Sequence, residues 1–301
     1  MTAVYRIILT SLVAGIIGLA GCGGGGGTNV AGIGGTGKTI SGTITGFGSI
    51  FVNDVEYDID NASFTINDDS SPGLSQADLR IGMVVTLTGS DDGTVGIASR
   101  VVYDNEIKGP VSDLVPVSGG LKKSFTVFGV NVIVDVAGTR FDEGSMPGFS
   151  FATLANDDVI EVSGLFDSSN TLVATYIEKT DDLDPGNSEV ELKGTPDAGT
   201  DAGVGESFPI NGVTVNSVAD TDLSDIPDSR VTDTQLIEVK GTLVTTSPDS
   251  IDAVRIEQED DDMDSDDGEA SIEGFVSDFT DNSSFKVSGQ QVDATDAEFE
   301  P

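Results

Sequence analysis

The chain of 301 residues sets 52 Asp and Glu against 14 Lys and Arg, a formal charge of −38, and such a field repels phosphate backbones, which excludes nucleic acid as a partner. It has no histidine and a single cysteine, which removes the usual general base, every imidazole metal site and any internal disulfide. An apolar share of 37% together with 38 glycines is that of a folded body, despite the charge.

The N-terminus is a leader. Arg6 is its only cation, Ile7 to Ala20 form a weakly polar to apolar run, and the small residues Ala20 and Gly21 precede Cys22. The run falls short of the roughly 20 residues a spanning helix needs, and Gly15 and Gly18 interrupt it. Leu19-Ala20-Gly21-Cys22 resembles the lipobox of bacterial lipoproteins. That resemblance implies cleavage before Cys22, lipidation of Cys22, and, with Gly23 rather than Asp next, sorting to the outer membrane. The mature chain would then carry 52 acidic against 13 basic residues, a net of −39. A signal peptide (1–21) and a lipidated cysteine with a Gly-rich tether (22–39) are therefore expected. Within the tether, Gly32 to Thr39 fits the phosphate-loop pattern G-x4-G-K-T. A glycine coil leads in and the alternating Thr39-Ile40-Ser41-Gly42-Thr43-Ile44 leads out, so no helix N-terminus is there to cradle phosphate, and no nucleotide is expected.

Beyond the tether three phrases recur in fixed order. The first, Ser-x-x-(Val/Ile)-x-x-x-x-(Val/Tyr), starts at Ser49, Ser124, Ser207 and Ser284 and predicts two strands around a tight turn. Asn53-Asp54 and Asn211-Gly212 have the chemistry of two-residue hairpin loops. The second is a strand ending in glycine, Val84–Gly89, Val159–Gly164 and Leu236–Gly241. The third, at Ala98–Val101, Ala174–Ile177 and Ala253–Ile256, closes each unit. Ser75-Gln76-Ala77-Asp78 reads as a capping box opening a short helical turn. Five strands with a helical turn between the third and fourth give an all-β fold of tandem, OB-fold-like five-stranded barrels. Repeats are expected at 40–107, 107–179 and 189–258, with a partial one at 270–301. Acidic linkers at 180–188 and 259–269 should let the units fold separately.

Chemistry is sparse. Asp91-Asp92 and Asp157-Asp158 read as solvated turn residues rather than a hydrolase pair, and no G-x-S-x-G elbow occurs. Phe47, Phe51 and Tyr57 offer at most a small aromatic patch for sugars or peptides, with barrel core the simpler reading. Calcium is the one ion the acidic loops invite: Asp262, Asp264 and Asp266 alternate, and Glu273 falls at the twelfth-ligand position. Asp267, however, stands where an EF-hand needs glycine.

Gly32–Gly37, Gly46-Phe47-Gly48-Ser49-Ile50-Phe51-Val52-Asn53 and Val55–Asp58 resemble exported bacterial lipoproteins of the domain of unknown function 5666 family, the first repeat most fully. The resemblance implies a repeated small β-domain on a lipid anchor and carries no catalytic residues. The expectation is a lipid-anchored, non-catalytic outer-membrane protein facing the periplasm or the cell surface. Its β-domains would bind an envelope protein or glycan, or act as a spacer, without a cofactor. A calcium-dependent adhesion protein is the alternative, and a carboxylate hydrolase the remote one.

Overall fold

The structure, a computed structural model, describes residues 7–8, 38–144, 146–259, 269–272, 274–287, 290–295 and 297. A two-residue strand, β1 (Ile7–Ile8), precedes the first unit: β2 (Lys38–Phe47), β3 (Ile50–Val52), β4 (Val55–Asp58), β5 (Ser63–Ile66), β6 (Val84–Asp91) and β7 (Val95–Tyr103). Period-two alternation buries Ile40, Ile44, Val85, Leu87 and Val101, all at or near zero exposure, on one side of these strands. Asn53 and Asp54 both adopt positive φ, 52° and 63°, which turns β3 back antiparallel to β4. The Ser75 capping box forms as expected around a 3-10 turn at Gln76–Asp78. Strand β2 pairs with β3, β3 with β4, β4 in parallel with β7, β7 with β6, and β6 with β2, so five strands close into a barrel.

The second unit, β8 (Ile107–Pro110), β9 (Ser112–Val117), β10 (Lys122–Val127), β11 (Val130–Asp135), β12 (Arg140–Asp142), β13 (Asp158–Phe166) and β14 (Thr171–Asp182), repeats these pairings. Its opening strand breaks at Val111, so that β8 pairs with β13 while β9 pairs with β10. The third unit comprises β15 (Glu189–Gly194), β16 (Asp201–Ala202), β17 (Ser207–Ile210), β18 (Val213–Asp222), β19 (Val231–Thr232), β20 (Ile237–Thr246) and β21 (Asp249–Gln258). Here no ladder joins β15 to β17; Pro209 has no N–H to donate, and its carbonyl accepts from the Asp197 amide at 3.0 Å.

The glycine ending the second phrase has one physical role in all three units. At Gly89, Gly164 and Gly241 the ladder to the following strand slips by one residue. A Cβ there would lie 2.2, 2.4 and 2.4 Å from the carbonyl oxygens of Ile97, Val173 and Asp252. Only glycine fits that close approach.

Three expectations are corrected. The second and third units are not separate: Glu191 and Leu192 of β15 pair antiparallel with Lys108 and Ile107 of β8, giving one twelve-stranded sheet, and a single apolar cluster runs from Ile107 to Ile256. The stretch 180–188 is not an open linker. Strand β14 runs to Asp182, Lys179 lies 2.5 Å from Asp158 and 2.6 Å from Asp182, and the Gly186 amide donates to Leu243 at 2.7 Å. One lysine and a set of backbone bonds absorb the acidic run.

The segment 270–301 does not behave as one partial unit either. Strand β22 (Glu269–Ile272) runs parallel to Lys38–Ser41 of β2, an edge that β3 leaves uncovered, with β1 beyond it. Strands β23 (Val276–Asp281), β24 (Ser284–Val287) and β25 (Gln290–Val292) form their own small sheet over Phe285, Val287 and Ala294. Among the described residues no helix is long and apolar enough to cross a membrane.

Candidate functional site

The densest unusual chemistry lies where the first unit meets the third. Along β15 and β20, residues alternate between the core and an outer face, so Val190, Leu192, Ile237 and Val239 point inward while Glu191, Lys193, Glu238 and Lys240 share the other side. Register places Glu191 opposite Lys240 and Lys193 opposite Glu238, two favourable cross-strand pairs. On the other flank β21 sets Glu257 opposite Glu238 and Arg255 opposite Lys240, two unfavourable ones. The first unit covers this face with Asp68, from the turn after β5, and with Asp104, Asn105 and Glu106 from the link between β7 and β8. Lys240 bonds Asp68, Lys193 bonds Asp104, and the Asn105 amide donates to Glu191 at 2.5 Å.

In this seam carboxylates outnumber cations. Lys193 also lies 3.3 Å from Glu259 and 3.7 Å from Glu238, and Lys240 reaches Glu238 at 3.1 Å, so two ammonium groups serve most of the cluster. The excess appears as raised carboxyl pKa values. Glu238 is 3% exposed; burial pushes it up to about 8, with Asp104 adding to the rise and the two lysines opposing it. Burial likewise lifts Glu106 to about 7 against the pull of Lys193, and Glu257 to about 7, where Asp68 adds to the rise. Burial alone would lower Lys193, but Asp104, Glu238 and Glu259 hold it well above its ordinary value. Four oxygens, Asp104 Oδ1, Asn105 Oδ1, Glu238 Oε1 and Glu257 Oε2, are buried without a hydrogen-bond partner. Such orphans are costly in a low-dielectric interior.

Elsewhere the acidic residues are tied down. Asp91, expected in a solvated turn, accepts from the Tyr57 hydroxyl at 2.7 Å and pairs with Lys38 at 2.9 Å; these contacts outweigh its burial and hold its pKa below the usual value. Asp158 is buried on Lys179. Tyr57 belongs to the first core, Phe51 is half-buried and Phe47 is 38% exposed, so the three form no aromatic platform. Two clefts of about 290 and 330 Å³, around Phe149 and around Thr200, are lined by Asp158 and Asp182, both engaged by Lys179, and by Asp201 and Glu206, both engaged by Arg230.

Residues 108–178 match the family model of the Domain of unknown function (DUF5666). The matched segment is the second unit, inside the stretch of about 30–301 over which the sequence resembles that family, most fully in the first unit. No curated protein matches the chain, and neither does any solved structure. The matched segment supplies Lys108, which pairs with Glu161 at 3.1 Å beside the seam, and Tyr176, which packs into the first core.

The sequence-predicted site residues Cys22, Asp262, Asp264, Asp266 and Glu273 all lie outside the described residues, as does the phosphate-loop match apart from Lys38 and Thr39. Sequence reading missed the seam. Its signal was the period-two charge on consecutive strands, Glu191-x-Lys193, Glu238-x-Lys240 and Arg255-x-Glu257-x-Glu259, which is indistinguishable locally from a solvated face.

Proposed function

We propose that this is a lipid-anchored, non-catalytic protein of the outer membrane whose OB-fold-like β-units form a binding or spacer module for an envelope protein or glycan. The observation that carries the reading is Leu19-Ala20-Gly21-Cys22 at the end of an apolar leader, followed by a glycine tether and a body that, among the described residues, is made of strands, short 3-10 turns and loops. The OB-fold-like reading of the units is supported by a strand order in which the first strand pairs with the second and fourth and the third runs parallel to the fifth. The β8–β15 ladder and shared core favour a stiff spacer over beads on a string.

Replacing Cys22→Ser tests the anchor. The variant should leave the membrane fraction or keep its leader. Normal processing with unchanged fractionation into outer membranes would refute the reading. Calcium-dependent adhesion is a second reading, and the buried excess of carboxylates in the seam is what favours it.

A further inference from the structure

We propose that Asp104, Glu238 and Glu259 hold a divalent cation, calcium by their chemistry, at the junction of the first and third units. One carboxylate oxygen from each lies within 4.8 Å of the others, a spread that a single ion can bridge. A carboxylate cluster alone would mean little. Here Asp104 Oδ1 and Glu238 Oε1 are buried without a hydrogen-bond partner, and Glu238 is 3% exposed. Asn105, next in sequence to Asp104 and fully buried, also leaves its side-chain oxygen without a hydrogen-bond partner.

Charge points the same way. Lys193 is the ammonium shared by Asp104, Glu238 and Glu259, and Lys240 also reaches Glu238 at 3.1 Å, so three carboxylates share one whole ammonium and part of a second. A second group, Asp68, Glu238 and Glu257, shares Glu238 but is better served: Lys240 bonds Asp68, Arg255 pairs with Glu257 at 2.5 Å, and Glu257 hydrogen-bonds to Asp68. The site is therefore assigned to the first group. Calcium suits it because it takes six to eight hard oxygens in flexible geometry, whereas magnesium requires a near-ideal octahedron and sheds its waters reluctantly. An ion there would tie Asp104, at the exit of the first unit, to β20 and to the residue following β21. The proposal is independent of lipid anchoring, and its failure would leave that reading untouched.

The test is calcium titration of the full chain, followed by thermal melts against magnesium chloride and against sodium chloride at matched ionic strength. Binding is expected in the range of extracellular calcium modules, about 0.1–1 mM, with a rise in Tm beyond that in the other salts. Asp104→Asn and Glu238→Gln should each weaken binding roughly tenfold or more, since one ligand charge is lost. The double variant Asp264→Asn, Asp266→Asn should bind as the parent does. Equal rises in all three salts, unchanged binding in the seam variants, or loss in the Asp264/Asp266 variant would each overturn the proposal.

Terbium emission locates the ion independently of stability. The chain has no tryptophan, and Tyr103 adjoins Asp104, so Tyr103→Phe should dim sensitised emission while calcium binding persists. Undiminished emission would place the ion elsewhere.

Discussion

Where the first unit meets the second, the contacts include a tyrosine ring in the first core, a Ser163 hydroxyl accepting from the Val84 amide at 2.9 Å, and an exposed ion pair between Arg80 and Asp142. Where it meets the third, it faces a layer in which carboxylates outnumber ammonium groups. The two faces are built from the same repeat positions. Tyr176, Arg255 and Arg100 occupy one position of the closing strand: Tyr176 fills the first core, Arg255 pairs within the seam, and Arg100 is exposed. Ser163, Lys240 and Thr88 share another. Inner faces thus keep one chemistry through the repeats, while outer faces take the chemistry of whatever packs on them. A neutral joint should be indifferent to protons and cations; a charged one should respond to both.

The largest effect is expected at the neutral joint. Tyr176→Ala removes a ring that is 1% exposed and whose hydroxyl donates to Glu178 at 2.7 Å. The loss should be about 3–5 kcal/mol, measured by denaturant melts, and independent of pH between 5 and 9. A loss that varied with pH would show the two joints to be less distinct than drawn here. The smallest effect belongs to the exposed part of the same joint. The Arg80–Asp142 pair, 3.0 Å long but 47% and 32% exposed on its two sides, should contribute no more than about 0.5–1 kcal/mol. Arg80→Ala beyond that range would reveal a role for its bonds to the Ala77 and Leu79 carbonyls.

Much of each unit was legible because its signals are local. The hairpin at Asn53-Asp54, the capping box at Ser75 and the alternating core follow from φ preferences and strand pleat, whereas the glycines at 89, 164 and 241, read as strand ends, are bulges through which the strands run on. What escaped was everything set by one unit packing on another. Lys108 and Glu191 lie far apart in sequence, and nothing near either says that β8 and β15 will pair. The acidic run after Lys179 looked like a linker because composition is blind to a lysine folded across it. Glu238 and Glu161 hold the same repeat position, yet Glu238 is buried beneath Asp68 and Asp104 of the first unit and Lys193, Lys240 and Glu257 of its own, whereas Glu161 is only partly buried. Cys22 is the reverse case, a site readable only in sequence.

The account's central claim, that the first and third units meet through a buried, proton-holding seam, is tested most directly by thermal melts from pH 4.5 to 9 in chelator. Glu238, Glu106 and Glu257 have folded pKa values raised to about 8, 7 and 7 from an ordinary 4.5. Between 4.5 and those values the folded chain holds protons that the unfolded chain has released. Their stabilising contribution is therefore complete near pH 4.5 and lost as pH rises through 7–8. Tm should fall across that window, by the equivalent of a few kcal/mol, and Glu238→Gln should flatten the fall. A Tm that is level or rising from pH 5 to 8, or a Glu238→Gln profile parallel to that of the parent, would contradict the seam.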